Sequence, residues 1–139
     1  MSALAYEGRR GPQGDPANGY PLIWKVQAPT DALNTGDGLD YLFIPPELNG
    51  ANLVVAHAAL VTPGTGTTTI QIRNVTQTAD MLSTRITIDS AEQDSSTASP
   101  SVIDTANDDV AQFDKIACDI DAAAAGAKGL VLLLRFEVP

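Results

Sequence analysis

The chain has 139 residues and a formal net charge of −9, with a mean hydropathy of +0.01, values that indicate one folded domain. A direct nucleic-acid role is not expected, because phosphate binding needs a basic surface, and an anionic membrane surface would repel this charge. The single cysteine excludes an intrachain disulfide and a zinc site built from cysteines.

Residues 1–19 differ in composition from the rest of the chain and predict an extended arm. Gly8, Gly11 and Gly14 open three successive Gly-X-Y triplets, the repeat of collagen, whose crowded axis admits only glycine. Three triplets are too few for an independently stable triple helix, so a plain extended Gly/Pro-rich arm is the favoured alternative. We expect the arm to contact a neighbouring subunit or a larger assembly through Tyr6, Arg9, Arg10, Pro12 and Pro16.

Three strands are predicted in the first half of the domain. Tyr20–Gln27 alternates apolar with more polar residues, the pattern of a half-buried strand, and places Trp24 as a core anchor. Tyr41–Ile44 is a short strand that ends at two prolines, which favours an edge position because proline cannot donate to a ladder. Asn52–Thr62 is almost continuously apolar, and this predicts that both of its faces are covered.

The loop at residues 28–40 carries Asp37 and Asp40. Their oxygens could help to hold Ca²⁺, but the spacing does not match an EF-hand, which needs several oxygen ligands and a closing glutamate. An ordinary Gly-Asp turn is the favoured interpretation.

Thr67–Asp89 is the clearest strand–turn–strand segment of the chain. Ile70 and Ile72 alternate with polar residues in its first half, and Ile86 and Ile88 continue the alternation in its second. Such a period-two pattern predicts two half-buried strands joined by a polar turn. The side chains expected on the exposed side, facing solvent or a partner, are Gln71, Arg73, Arg85 and Thr87.

The C-terminal part predicts two longer strands, at Lys115–Asp121 and Lys128–Val138. In the second of these, alternate residues are Leu or Phe and are expected to face the core. Residues 122–129 are expected to form a loop, because one helical turn closed by glycine is unstable alone. The elements expected before them are a solvent-exposed loop at Ser90–Ser99 and short strands at Ser101–Asp104 and Val110–Phe113.

Few residues offer chemistry. Cys118 lies on the apolar side of its strand and is expected to be a buried, inert thiol, and His57 is the only histidine, which favours a structural or interface role over catalysis. Asp119 and Asp121 share a strand face and could run acid/base chemistry or bind a cation, but a solvated polar face is the favoured interpretation. We predict a protein that is not an enzyme and uses no cofactor.

The strand count defines the expected fold class. About eight short strands with frequent turn signals, and no long helix, predict an all-β protein. We expect an antiparallel β-sandwich or jelly roll over residues 20–139, preceded by the arm at residues 1–19.

Several segments resemble small structural proteins of tailed bacteriophages, over about residues 20–138. The resemblance implies a jelly-roll-like module, commonly trimeric, displayed on a head or tail. The segments that carry it are Phe43–Pro45, Glu47–Gly50, Asn52–Val54, Thr69–Thr76, Asp80–Thr84, Ile86–Asp89, Val102–Asp104 and Ala127–Leu130.

The function that the resemblance and the arm together favour is capsid decoration. We expect a homotrimer at the virion surface whose arm binds the major capsid protein and stabilises the head. The first alternative is a tail-fibre or tail-tip component that contacts tail proteins and a receptor on the host surface. A sugar-active enzyme on a jelly-roll frame is the weakest alternative, because it needs two carboxylates across a cleft. The sequence shows neither a signal peptide nor a membrane span, so we expect folding in the host cytoplasm.

Overall fold

The computed structural model describes residues 19–139, which form ten strands and two short 3-10 helices. The strands are β1 (Tyr20–Lys25), β2 (Tyr41–Phe43), β3 (Asn52–Thr62), β4 (Thr68–Asn74), β5 (Ala79–Asp80), β6 (Leu82–Thr84), β7 (Ile86–Ile88), β8 (Val102–Ile103), β9 (Lys115–Ala122) and β10 (Lys128–Glu137). The 3-10 helices are η1 (Pro46–Leu48) and η2 (Ser95–Thr97). The all-β prediction is confirmed for these residues, while the jelly-roll connectivity stays a prediction.

The strands form two main antiparallel sheets and one small one. The three-stranded sheet has the order β1-β10-β3. The five-stranded sheet has the order β2-β9-β4-β5, and β7 also pairs with β4, while β6 and β8 form the small sheet. As predicted, β2 is an edge strand that ends before Pro45.

One hydrophobic cluster joins the two main sheets. Alternation in β10 directs Leu130, Leu132, Leu134 and Phe136 into it, and all four are fully buried. From the five-stranded sheet it receives Ile70, Ile72, Ile116, Cys118 and Ile120. Because full burial of one such aliphatic or aromatic side chain stabilises a fold by about 1.5–3 kcal/mol, this cluster dominates the stability of the domain.

Trp24 connects the two sheets at one side of the core. It is buried in β1, as predicted, and its indole Nε1 donates a hydrogen bond to the Asp40 carboxylate, 2.8 Å away, just before β2. The bond satisfies the one polar atom of the indole and orders the end of the loop at residues 28–40.

The second half of the Thr67–Asp89 segment is not the single strand that its alternation predicts. It divides into β5, β6 and β7, of which β5 and β7 pair with β4 while β6 turns away to pair with β8. Gln71 occupies the gap: its Oε1 accepts from the amides of Ile72 and Leu82, and its Nε2 donates to the Leu82 carbonyl at 3.0 Å. The exposed position expected for Gln71 is therefore wrong, because its amide replaces missing ladder bonds in the interior.

The segment Ser90–Ser99 is mostly exposed, as predicted, although it contains η2, whose buried Ser95 hydroxyl accepts from the Ala58 amide at 3.1 Å. One strand prediction is wrong. Val110–Phe113 is not a strand, because Phe113 adopts a φ of 70°, which is incompatible with an extended chain. The loop expected at residues 122–129 is confirmed between β9 and β10.

Candidate assembly surfaces

The outer side of the three-stranded sheet is apolar. We define the open face as Ile23, Ala59, Val61, Val131 and Leu133, which alternate with core residues along β1, β3 and β10. Ile23 is 65% exposed, Val61 51% and Leu133 36%. The ladder aligns Ile23 with Leu133 and Val131 with Ala59, so these apolar side chains are adjacent across the strands, while Lys25 and His57 occupy the positions beside them. Of the two β3 faces expected to be covered by another layer or another subunit, residues 19–139 cover one and leave Val61 on the other exposed.

Two shallow grooves run along the open face. The first has a volume of about 390 Å³ and lies between the face and η2, with Ile23, Leu133 and His57 among its lining residues. The second has a volume of about 510 Å³ and is bordered by Lys25 and the loop that follows β1. Val131 lines both grooves, so they form one continuous depression.

Polar groups border the open face at both sides. His57 is exposed, and its Nδ1 lies 3.3 Å from the Ser95 hydroxyl, in keeping with the structural or interface role expected of it. Arg135 Nη2 contacts the Glu137 carboxylate at 3.2 Å. The Arg135 Nε is buried and has no hydrogen-bond partner within residues 19–139.

A second exposed surface, the aromatic patch, lies at the edge strand β2. It consists of Tyr41, Phe43 and Phe113, each more than half exposed. The rings of Phe43 and Phe113 stack with centroids 5.7 Å apart. A bulky residue at positive φ is strained, and such strain is concentrated at functional positions. The sequence did not indicate this patch, because Phe113 was expected in a strand.

The prediction that Asp119 lies on a solvated polar face is wrong, because its carboxylate is buried. Asp119 is 4% exposed and accepts from Arg73 Nε at 2.6 Å and Nη2 at 3.0 Å, and from the Gly38 amide at 2.7 Å. The hydrogen bond from the guanidinium to Asp119 raises the pKa of Arg73, an effect that burial partly offsets. Arg73 is correspondingly only partly exposed, with 29% of its side chain accessible. Asp119 is thus held as a charge partner of arginine.

The other predicted carboxylates also have protein partners. Asp121 forms an ion pair with Arg85 at the surface, and Asp40 is bonded to Trp24. Within residues 19–139, no three His, Cys, Asp or Glu side chains form a group that could hold a metal ion. The loop that carries Asp37 and Asp40 runs beside β9, where the Gly38 amide bonds to Asp119, but within residues 19–139 the four carboxylates do not form a metal-binding group.

Asp114 is the centre of a second buried polar cluster. Its Oδ2 accepts from Asn74 Nδ2 at 2.9 Å, Gln77 Nε2 at 2.8 Å and the Ala111 amide at 3.0 Å. Burial raises the pKa of Asp114, but these three hydrogen bonds outweigh burial and hold it below its usual value. The hydrogen bonds of this cluster link the turn after β4 to the segment before β9.

Cys118 is fully buried in the core, as predicted. Burial, with a smaller contribution from Asp119 and Asp40, raises the pKa of the thiol to about 12. The thiol is therefore uncharged at neutral pH and is not a nucleophile, since the thiolate is the reactive form.

The arm contacts predicted at Tyr6, Arg9, Arg10, Pro12 and Pro16 lie outside the described residues. Comparison with protein-family models, with curated proteins and with solved structures finds no match to the chain. Neither of the short helices within residues 19–139 has the length and apolar character required to cross a membrane.

Proposed function

We propose that the protein is a structural component of a tailed-phage virion, a capsid decoration protein that stabilises the head by binding. The observation that carries the proposal is the open face, an exposed and mainly apolar surface on a β-scaffold. Exposed apolar patches on folded proteins are often contact sites. Together with the phage resemblance, this surface favours a protein that acts through assembly.

The proposed partners are two further copies of the chain and the major capsid protein. Copies of the β domain associate into a homotrimer at the virion surface, and the arm contacts adjacent capsid subunits. Many such contacts act together, so each one adds to retention on the particle without needing high affinity by itself. The acidic surface keeps the displayed domains from associating non-specifically with one another.

The aromatic patch supports one second candidate, a tail-fibre or tail-tip component that binds the host surface. Exposed aromatic side chains are enriched among the residues that dominate binding energy at interfaces. In this alternative Tyr41, Phe43 and Phe113 face a host receptor.

Cryo-electron microscopy of intact virions separates the two functions. The decoration function predicts density for the β domain at regular positions on the head. Density confined to the tail would overturn decoration and favour the host-binding function. A particle that lacks the domain altogether would contradict both.

A further inference from the structure

We infer that the open face is covered by the N-terminal hexapeptide Met1–Tyr6 of a neighbouring copy, so that adjacent chains exchange arms. The inference rests on the proposed function only in requiring a homo-oligomer. It names the surface that forms the oligomer and the segment that occupies it.

The dimensions of the open face favour a strand-like segment over a whole second domain. Three strands at about 4.8 Å spacing make a face about 14 Å wide. All three strands lie side by side over the six residues of β1, and at about 3.3 Å per residue this shared part is about 20 Å long. The product, about 280 Å², is far below the roughly 800 Å² per partner of a stable interface between globular proteins. An extended hexapeptide has the same length of about 20 Å.

The composition of Met1–Tyr6 matches the face. Every residue in the hexapeptide except Ser2 is apolar, whereas residues 7–18 are rich in Gly and Pro and carry the charges of the arm. Burial of side chains such as Leu4 and Tyr6 against Ile23 and Leu133 removes apolar surface from water on both partners.

The chain enters the described domain at one end of the open face. Gly19 lies so close to the end of β10 that a Cβ on it would be 2.7 Å from the Phe136 carbonyl oxygen and 3.2 Å from Arg135 Cγ. The Nε of Arg135, which has no hydrogen-bond partner within residues 19–139, therefore lies beside the point where the arm joins. The arm contains two carboxylates, Glu7 and Asp15, and a carboxylate is a hydrogen-bond acceptor whose charge is opposite to that of the guanidinium.

The length of the spacer favours exchange between copies. Twelve residues, 7–18, have a maximum reach of about 37 Å at about 3.1 Å per residue. A folded domain of the size of residues 19–139 is about 35 Å across. A spacer of this length is sufficient to reach the neighbouring copy, whereas the face of its own chain begins at the joining point.

Disulfide trapping in the full-length protein tests the inference without any virion. The double variant Leu4→Cys/Leu133→Cys is oxidised and separated under denaturing, non-reducing conditions. The native Cys118 does not interfere, because it is fully buried. We expect crosslinks between chains, up to covalently closed trimers, that disappear on reduction.

A matched control variant distinguishes docking on the open face from non-specific crosslinking. Ser83 is exposed on β6, away from the open face, so Leu4→Cys/Ser83→Cys should crosslink at most a tenth as fast. If crosslinks form only within single chains, the exchange of arms between copies is overturned. If the two variants crosslink at equal rates, or if neither variant crosslinks, docking on the open face is overturned. If Leu133→Cys impairs folding, as judged by circular dichroism, Ile23→Cys replaces it. Failure of the crosslink would not decide whether the protein is part of a virion. Absence of the protein from virions would not affect the crosslinking result.

Discussion

The outer sides of the two main sheets differ in burial: much of the five-stranded sheet is covered by its own chain, whereas much of the three-stranded sheet is exposed. On the five-stranded sheet, Ala117, Asp119 and Gln71 alternate with core residues, and yet all three are buried by their own chain. Their polar atoms are satisfied by the Arg73 side chain, by the loop at Gly38 and by Leu82. On the three-stranded sheet, the corresponding positions carry mainly apolar side chains, with Lys25, His57 and Arg135 among them, and residues 19–139 leave most of them partly or fully exposed.

This difference is the basis for placing the proposed partner contact on the three-stranded sheet. A buried polar network costs stability unless every member is satisfied, and the five-stranded sheet meets that condition within one chain. Exposure of Ile, Val and Leu side chains to water is unfavourable in free energy, so contact with another surface would stabilise the open face. Apart from the exposed aromatic patch at β2, the first side is covered by its own chain, and we propose that the second is covered in an assembly.

The largest effect on stability is expected from Arg73→Ala. The substitution leaves the Asp119 carboxylate buried without its charge partner, and loss of one member of a buried pair costs about 3 kcal/mol or more. We expect a value near 3 kcal/mol, since Arg73 itself reaches solvent. Urea unfolding measures it. The matched control Arg85→Ala removes the surface pair with Asp121 and should cost under about 1 kcal/mol; equal losses in the two variants would refute the distinction between the pairs.

A smaller, pH-dependent effect is expected from Asp114→Asn. The neutral amide cannot accept all three hydrogen bonds, so the free energy of unfolding at pH 7 should fall by about 2 kcal/mol. Because the pKa of Asp114 is lowered in the folded state, its stabilising contribution is present above about pH 4 and is lost as the pH falls through the lowered value. Urea unfolding at pH 7 and pH 3 should therefore show a variant deficit that shrinks in acid. A deficit that stays constant would show that ionisation of Asp114 does not contribute.

The smallest effect on stability is expected from Phe113→Gly in the aromatic patch. Glycine removes the strain of the positive φ but also removes the stacking on Phe43 and adds chain entropy in the unfolded state. These terms oppose one another, so the free energy of unfolding should change by less than about 1 kcal/mol, and thermal denaturation measures it. If the protein contacts a host receptor through this patch, adsorption to host cells should fall while stability is kept. A loss above about 2 kcal/mol would show that Phe113 is a packing residue instead.

Alternation in the sequence predicted the strands that contain the core, but not what lies on their other sides. The pattern of β10 placed its Leu and Phe side chains correctly, and the bounds of β3 were predicted as Asn52–Thr62, as observed. Asp119 and Gln71 were misplaced, because alternation assigns a face but does not say whether a distant segment covers it. Gly38, which covers Asp119, is 81 positions away along the chain.

The candidate site was less accessible to sequence reasoning than the core. The continuous apolar pattern of β3 did predict apolar side chains on both of its faces, although it gave no means to tell a second layer of the same chain from another subunit. The aromatic patch had no signal, because the positive φ of Phe113 depends on hydrogen bonds with its surroundings, among them Phe113 N–H to the Ile44 carbonyl.

The molar mass of the protein in solution, with and without Leu133→Asp, tests the central claim most directly. Leu133 is 36% exposed in the single chain, so aspartate there stays hydrated in a monomer but is buried without a partner if the open face is covered. Light scattering should give a trimer for the native protein and a monomer for the variant, with unchanged circular dichroism. A native monomer, or a variant that keeps the native mass, would contradict the claim that the open face is an assembly surface.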